Sequence, residues 1–399
     1  MIAIEQLTSE AVELLKRLIA TPRTSRNEAE AATLYADYLA AKGFTPCREA
    51  NNVWVMAPDY DEHRPTLLLN AHLDTVKAVD GWTRDPLTPT IEGDRLYGLG
   101  SNDDGASLVA LTAAFCHVVK SQVSGFKIQD SGSISERAEG KPSTLNPHPP
   151  ARPNGTLDHS RNLNLILLAS AEEEVSGRDG IERVLPLLPK IDVALVGEPT
   201  GMQPAIAEKG LMVLDITAHG RAGHAARNEG DNALYHAIDD INWIRNYQFP
   251  KVSPLLGPVK MTATIIQAGT QHNVIPDSCT FTVDVRSNDC YTNQELFETV
   301  QAHVQSDVRV RSFRLGSSRI EPGHPLVQSI LALGPTVDGL PRQPFGSPTL
   351  SDQALMHWPS LKMGPGQSAR SHTADEYIRI PELHAAIDDY IQLLKHVRL

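Results

Sequence analysis

The sequence predicts an α/β fold, a sheet flanked by helices and interrupted by an inserted ferredoxin-like α+β domain. Three observations carry this. Continuous apolar runs at 66–71, 163–170 (LNLILLAS) and 193–198 (VALVGE) alternate with helical segments, as in a sheet covered on both faces. Residues 203–312 change to a β-α-β-β-α-β succession, the ferredoxin-like order. The first pattern then returns. The first domain is therefore expected in two pieces, 1–202 and 313–399, around a second at 203–312.

Helices at 8–20 and 27–42 precede a short strand at 53–56 and the strand 66–71. A helix over 105–119 starts just after Asp103 and Asp104, where acids suit a helix N-terminus. Residues 120–161 are rich in Ser, Pro, Gly and charge and read as a flexible surface insertion, with His148 and His159 as solvated loop residues. A helix near 179–187 follows the second apolar run. In the second domain come strand LMVLDITAHG, a helix at 231–246, strands MTATIIQAG and CTFTVDVRS, a helix at 293–305 and strand VRVRSFRLG. Phe281, Val283 and Val285 alternate with Thr282, Asp284 and Arg286, the period of a half-buried antiparallel strand with Arg286 outward. Helices near 325–334 and 381–395, with strand LKMG between them, complete the first domain.

The whole chain narrows the function classes. Its 399 residues exceed one ordinary core. Apolar residues at 41% and charged residues at 21% fit a globular protein in water. A net charge of −12 argues against nucleic acid or an anionic membrane as partner, since both need a basic face. No apolar run reaches the ~18 residues of a membrane span. The opening helix MIAIEQLTSEAVELLKRL lacks the basic and apolar regions of a signal peptide. Cys47, Cys116, Cys279 and Cys290 form no CxxC pair and read as reduced thiols, so a cytoplasmic location is expected.

Acids and histidines stand where the buried runs end. His72 and Asp74 follow the first run, Glu172–Glu174 the second and Glu198 the third, while GLGSNDDGA sets Asp103 in a Gly-rich turn before a helix and ARSHTADEY supplies His372. Ligands of open α/β sheets bind beyond the carboxyl ends of the strands. These clusters are therefore expected to converge on one site. Two histidines with several carboxylates suit a borderline divalent ion such as zinc. Each motif alone is weak: an HxD triplet recurs by chance, a triple Glu is commonly a solvated helix start, and Glu-Pro is commonly a turn. Their joint placement makes the argument, because carboxylates at buried strand ends are costly without a cation.

The chain resembles the di-zinc amidohydrolase and peptidase family of acetylornithine deacetylase, succinyl-diaminopimelate desuccinylase and aminoacylase. The matching motifs are AHLDTV, GLGSNDDGA, AEEEVSG, VGEPT, GRAGHAA, QHNVIPD, DVRSN and SHTADEY, and they span essentially the whole chain outside 120–161. HNVIPD and AIAEKGLMVLD are most similar to the acetylornithine and succinylornithine deacylases of arginine biosynthesis. The resemblance implies a zinc-exopeptidase-like mixed sheet with an inserted dimerisation domain, and two zinc ions, with cobalt as an alternative. It implies Asp103 as the bridging carboxylate, His72 and Glu198 on one ion, and Glu174 and His372 on the other. Asp74 is then the acid that orients His72 through its non-ligating nitrogen, and Glu173 the general base. His224, which by itself reads as a surface histidine, is implied to reach the partner subunit's site and stabilise the oxyanion. Asn273, Arg286 and Gly364 are implied substrate contacts, Arg286 gripping a carboxylate. The family's usual turn arginine is Leu99 here, Asp104 stands where a small or apolar residue is common, and Glu172 replaces the frequent Asp.

The expected activity is metal-dependent deacylation of an N-acyl amino acid, N-acetyl- or N-succinyl-L-ornithine, by a homodimer. Its rivals are a dipeptidase or aminopeptidase of the same family and a non-catalytic dimeric binding protein.

Overall fold

Segments without polar alternation form the centre of the first sheet. In the strands Thr66–His72 and Asn164–Ser170 every residue is buried, so both faces of each are covered. The computed structural model describes residues 3–122 and 163–399. It divides into one unit made of 1–205, 321–344 and 357–399 and another made of 206–320 and 345–356. Most of the expected insertion, 123–161, lies outside the described residues; its first residues, 120–122, complete the helix Gly105–Gln122.

In the first unit the strands run in the order Cys47–Glu49, Asn52–Met56, Asn164–Ser170, Thr66–His72, Val193–Val196 and Ser360–Lys362. Asn52–Met56 pairs antiparallel with both Cys47–Glu49 and Asn164–Ser170, and the remaining neighbours are parallel. The sheet is mixed, and its parallel strands point one way. The register sets His72 beside Ser170, Asn70 beside Val196 and Val196 beside Lys362. The carboxyl ends of four strands thus share one edge. The helices Ile4–Ala20, Gly105–Gln122 and Ile380–His396 pack on one another. The expected helix near 179–187 is one α-helical turn, Ile181–Val184, followed by a 3-10 turn, Leu185–Leu187. Pro186 has no N–H to continue the α-helical ladder.

The second unit holds a four-stranded antiparallel sheet in the order Lys260–Ala268, Ser278–Arg286, Met212–His219, Asp307–Val310. In chain order this is second, third, first, fourth, the ferredoxin-like arrangement. Met212, Leu214, Ile216 and Ala218 turn inward with Cys279, Phe281, Val283 and Val285. Ala233–Asn246 and Asn293–His303 complete the core with Ala237, Ile244, Leu296 and Val300. Thr292 and Glu295 cap the second helix reciprocally. Lys260–Ala268 is an edge strand with Ile265 52% and Ile266 49% exposed.

Candidate metal centre

His72 closes its strand with its ring almost wholly buried. Nδ1 lies 3.0 Å from the main-chain oxygen of Asp74. That oxygen only accepts, so Nδ1 carries a proton. Nε2 faces Asp103 Oδ1 at 3.1 Å and Glu173 Oε2 at 4.0 Å. Burial works against a charged ring here, but the hydrogen bonds to Asp103 and Asp74 overcome it and lift the pKa of His72 well above the ordinary histidine value.

The Asp74 carboxylate stands 3.5 Å from His72 Nδ1, farther than its own carbonyl. Its closer partners are Ser25 Oγ at 2.7 Å and the backbone amides of Glu173 at 3.1 Å and Glu174 at 3.2 Å. Burial would raise its pKa, but the hydrogen bond and charge of His72, followed by Ser25 and the Glu173 amide, outweigh it and hold the pKa below the usual carboxylate value. Asp74 therefore does more than flank His72: it fixes the turn that carries the glutamates.

Adjacent residues on a strand face opposite ways, yet Glu173 and Glu174 both serve this site. The backbone resolves this. Glu172 adopts a left-handed φ of 53° and Glu173–Val175 form a 3-10 turn. The buried Glu28 receives the Glu172 amide at 3.0 Å. A Cβ at Gly177 would stand 1.7 Å from the Glu172 carboxylate, so this turn packs only against a glycine.

Asp103 sits in the turn before Gly105–Gln122 and is joined to Asp104 by a cis peptide bond. Buried Glu376 accepts the backbone amides of Gly100, Asn102 and Asp103 at 2.9, 2.8 and 2.8 Å. Asn102 in turn receives the Gln367 amide and donates to Gln367 O, tying the turn to the His372 loop. His372 has a left-handed φ of 57°. Its Nε2 lies 3.0 Å from Glu174 Oε2 and 3.6 Å from Asp103 Oδ2. The Glu174 hydrogen bond raises its pKa against partial burial.

Glu198 follows Val193–Val196. Burial pushes its carboxyl well above the ordinary glutamate value, although the buried Lys362 pulls the other way. Burial also pushes Asp104 up to about 7, against the pull of His72.

Two overlapping donor groups result: His72, Asp103 and Glu174, and His72, Glu173 and Glu198, each with one ligand atom per residue within 4.8 Å of the others. The donors are imidazole and carboxylate, the set a zinc-like ion takes. Buried acids outnumber their cationic neighbours, a state a divalent cation relieves. The residues fit a metal. Glu173 stands among the donors themselves, and His372 joins through Glu174 and Asp103.

Gly364 is buried, and its N–H donates to Thr200 Oγ1 at 3.1 Å. In the second unit, His224 pairs with Val274, next to Asn273. The ring Nδ1 of His224 accepts the Ala226 amide at 3.1 Å, which leaves a neutral ring's proton on Nε2. Arg286 is held bidentately by Asp284 at 2.9 and 3.2 Å.

Two family models match the sequence: peptidase family M20/M25/M40 over residues 68–128 and the peptidase dimerisation domain over 206–310. The chain is thus similar to peptidase family M20/M25/M40 in one segment and to its dimerisation domain in another. It is an enzyme of a hydrolase family. It is 26% identical to acetylornithine deacetylase of Edwardsiella ictaluri over 92% of both chains. It is 25% identical to succinyl-diaminopimelate desuccinylase of Halorhodospira halophila over 98% of both. Its fold is that of an M20 family metallo-carboxypeptidase from Sulfolobus solfataricus, with a TM-score of 0.70 at 17% identity over 97% of this chain and 98% of that one. Among the described residues, no helix is long and apolar enough to cross a membrane.

The supporting residues Arg23, Ser25, Glu28, Lys362 and Glu376 carried no sequence signal as site residues. Glu376 falls inside the SHTADEY motif, but nothing local announces that its partners are amides 273 residues away.

Proposed function

We propose that this enzyme hydrolyses the amide bond of an N-acyl amino acid, with N-acetyl- or N-succinyl-L-ornithine as substrate, and serves arginine biosynthesis in the cytoplasm. The observation that carries the reading is the pair of donor groups sharing His72, with Glu173 against the ring of His72. The acetylornithine deacetylase and desuccinylase relatives support the substrate class.

His72, Asp103, Glu174, Glu198 and His372 are the residues that would hold the divalent ions, zinc or cobalt, with Asp103 as the carboxylate they would share. When bound, such ions polarise an amide carbonyl and acidify a water. Glu173 takes the proton of the attacking water and returns it to the departing amine. Asp74 keeps Glu173 and Glu174 in place through their amides. His224, with its proton on Nε2, donates to the developing oxyanion across a homodimer. The match to a dimerisation domain and the exposed edge strand support that assembly. Arg286 and Asn273 meet the substrate's carboxylate end. Gly364 contributes through its backbone, once its amide leaves Thr200.

The deciding experiment measures rates on N-acetylornithine, N-succinylornithine, N-acetylcitrulline and unblocked di- and tripeptides, with zinc or cobalt supplied. Deacylation dominates on this reading. The Sulfolobus fold relative is a carboxypeptidase, so peptide cleavage without deacylation selects the dipeptidase or aminopeptidase alternative. Metal binding without turnover of any of them leaves only a binding protein.

A further inference from the structure

Arg23 is buried, 2% exposed, although it belongs to neither donor group. Its Nη1 donates to Leu73 O at 2.5 Å and its Nη2 to Gly100 O at 2.8 Å. Leu73 lies between His72 and Asp74, and Gly100 opens the turn that ends in Asp103. One guanidinium therefore spans the two segments that carry His72 and Asp103, which are otherwise 31 residues apart. The main chain adds to the clamp. Thr75 N donates to Arg23 O at 2.9 Å, Ser25 N donates to Thr75 O at 3.1 Å, and Thr24 bridges Thr75 in parallel.

The turn is shaped around this side chain. Gly100 has φ +71°, and a Cβ there would stand 2.4 Å from Nη2; one at Gly105 would stand 3.1 Å away. A planar fork with fixed donors suits two divergent carbonyls, which an ammonium serves poorly. Burial lowers the pKa of this side chain, and the fields of Glu376, Asp74, Asp104 and Asp103 act against that to keep it charged.

We propose that Arg23 is a positioning residue of the metal centre, its guanidinium fixing the His72–Asp74 segment against the Gly100–Asp103 turn and so setting the His72–Asp103 spacing. It rests on the reading of the cluster as a metal centre. Arg23 touches no substrate. It acts through the backbone of two ligand-bearing segments, and its loss lets them drift apart when no ion holds them.

The test is zinc titration of full-length wild type, R23A and R23K by calorimetry, with and without guanidinium at a low, non-denaturing concentration. A cavity of about 230 Å³ lined by Ile19, Arg23, Thr75, Leu87 and Leu99 adjoins the side chain and gives free guanidinium a route to the vacated position. R23A is expected to bind zinc about 10–100-fold more weakly. Guanidinium restores much of that affinity and urea does not, while kcat at saturating zinc approaches wild type. A purely structural defect would follow neither pattern. Unchanged zinc affinity in R23A, or a loss that guanidinium leaves untouched, overturns the proposal. Should R23A fail to fold, R23K decides: a several-fold weaker zinc affinity supports the proposal and wild-type affinity overturns it. Wild-type protein that binds no zinc overturns the metal centre itself, and this proposal with it.

Discussion

Glu173 and Glu174 are neighbours to which the proposed mechanism gives different duties, and the difference is testable at each. Glu174 lies within 3.0 Å of His372 Nε2, whereas Glu173 stands 4.0 Å from His72 Nε2. Glu173→Ala should keep bound metal, read by elemental analysis, while turnover falls about 10²–10⁴-fold. A fall matched by metal loss would make Glu173 a ligand instead. Asp74 accepts both glutamate amides and so bears on the two duties together. Asp74→Ala should weaken zinc by about 10–100-fold and lower activity with it; normal zinc binding and turnover would reduce Asp74 to a strand-end residue. The meeting of His72, Asp103, Glu174 and Glu198 was legible in the sequence because each follows a buried run or a Gly-rich turn, whereas His372 was marked only by its ARSHTADEY motif. The partners of Asp74 were legible only in part: the resemblance implies His72 Nδ1, which the carboxylate faces at 3.5 Å, but nothing in the sequence announces Ser25 or the two glutamate amides.

The elements explain why some positions were legible and others were not. Parallel apolar strands announce a common edge, so the convergence of their ends follows from topology alone. The glutamate turn did not follow, because its left-handed Glu172 depends on Glu28 and on the space at Gly177. In the second unit, period-two alternation foretold the inward face of Ser278–Arg286 correctly. Lys260–Ala268 reads as a strand from sequence, but its place at the sheet edge is a property of pairing. An exposed edge with apolar side chains is a template for a further strand. Replacing Ile265 and Ile266 together by Glu should convert the proposed homodimer to monomer by light scattering. An unchanged mass would move the interface elsewhere.

At the scale of the molecule, the candidate centre is a store of buried negative charge, and this sets how the metal-free protein responds to pH. Burial pushes Asp104 and Glu376 up to about 7, from ordinary values of 3.8 and 4.5. A carboxyl raised in this way holds its proton longer in the folded chain than in the unfolded one. Its contribution to stability is therefore full below the unfolded value and lost as pH rises through about 7. Chelator-treated protein should lose melting temperature between pH 5 and 8, each endpoint being about one unit or more beyond the two pKa values. Zinc at about 100-fold above its Kd should return about 2.7 kcal/mol. A flat pH profile without metal would show that these acids are not strained. The long-range bonds of the centre also bear on how the protein is made. His372 meets Glu174 across 198 residues, and Glu376 meets the Asp103 turn across 273. At about 5–20 residues per second, the ribosome leaves the earlier ligands waiting for their last partner for on the order of ten seconds or more. On the proposed metal-centre reading, a nascent chain in that interval presents an open half-site, so metal capture would belong to maturation after the sheet is complete and a loaded centre would mark a finished fold.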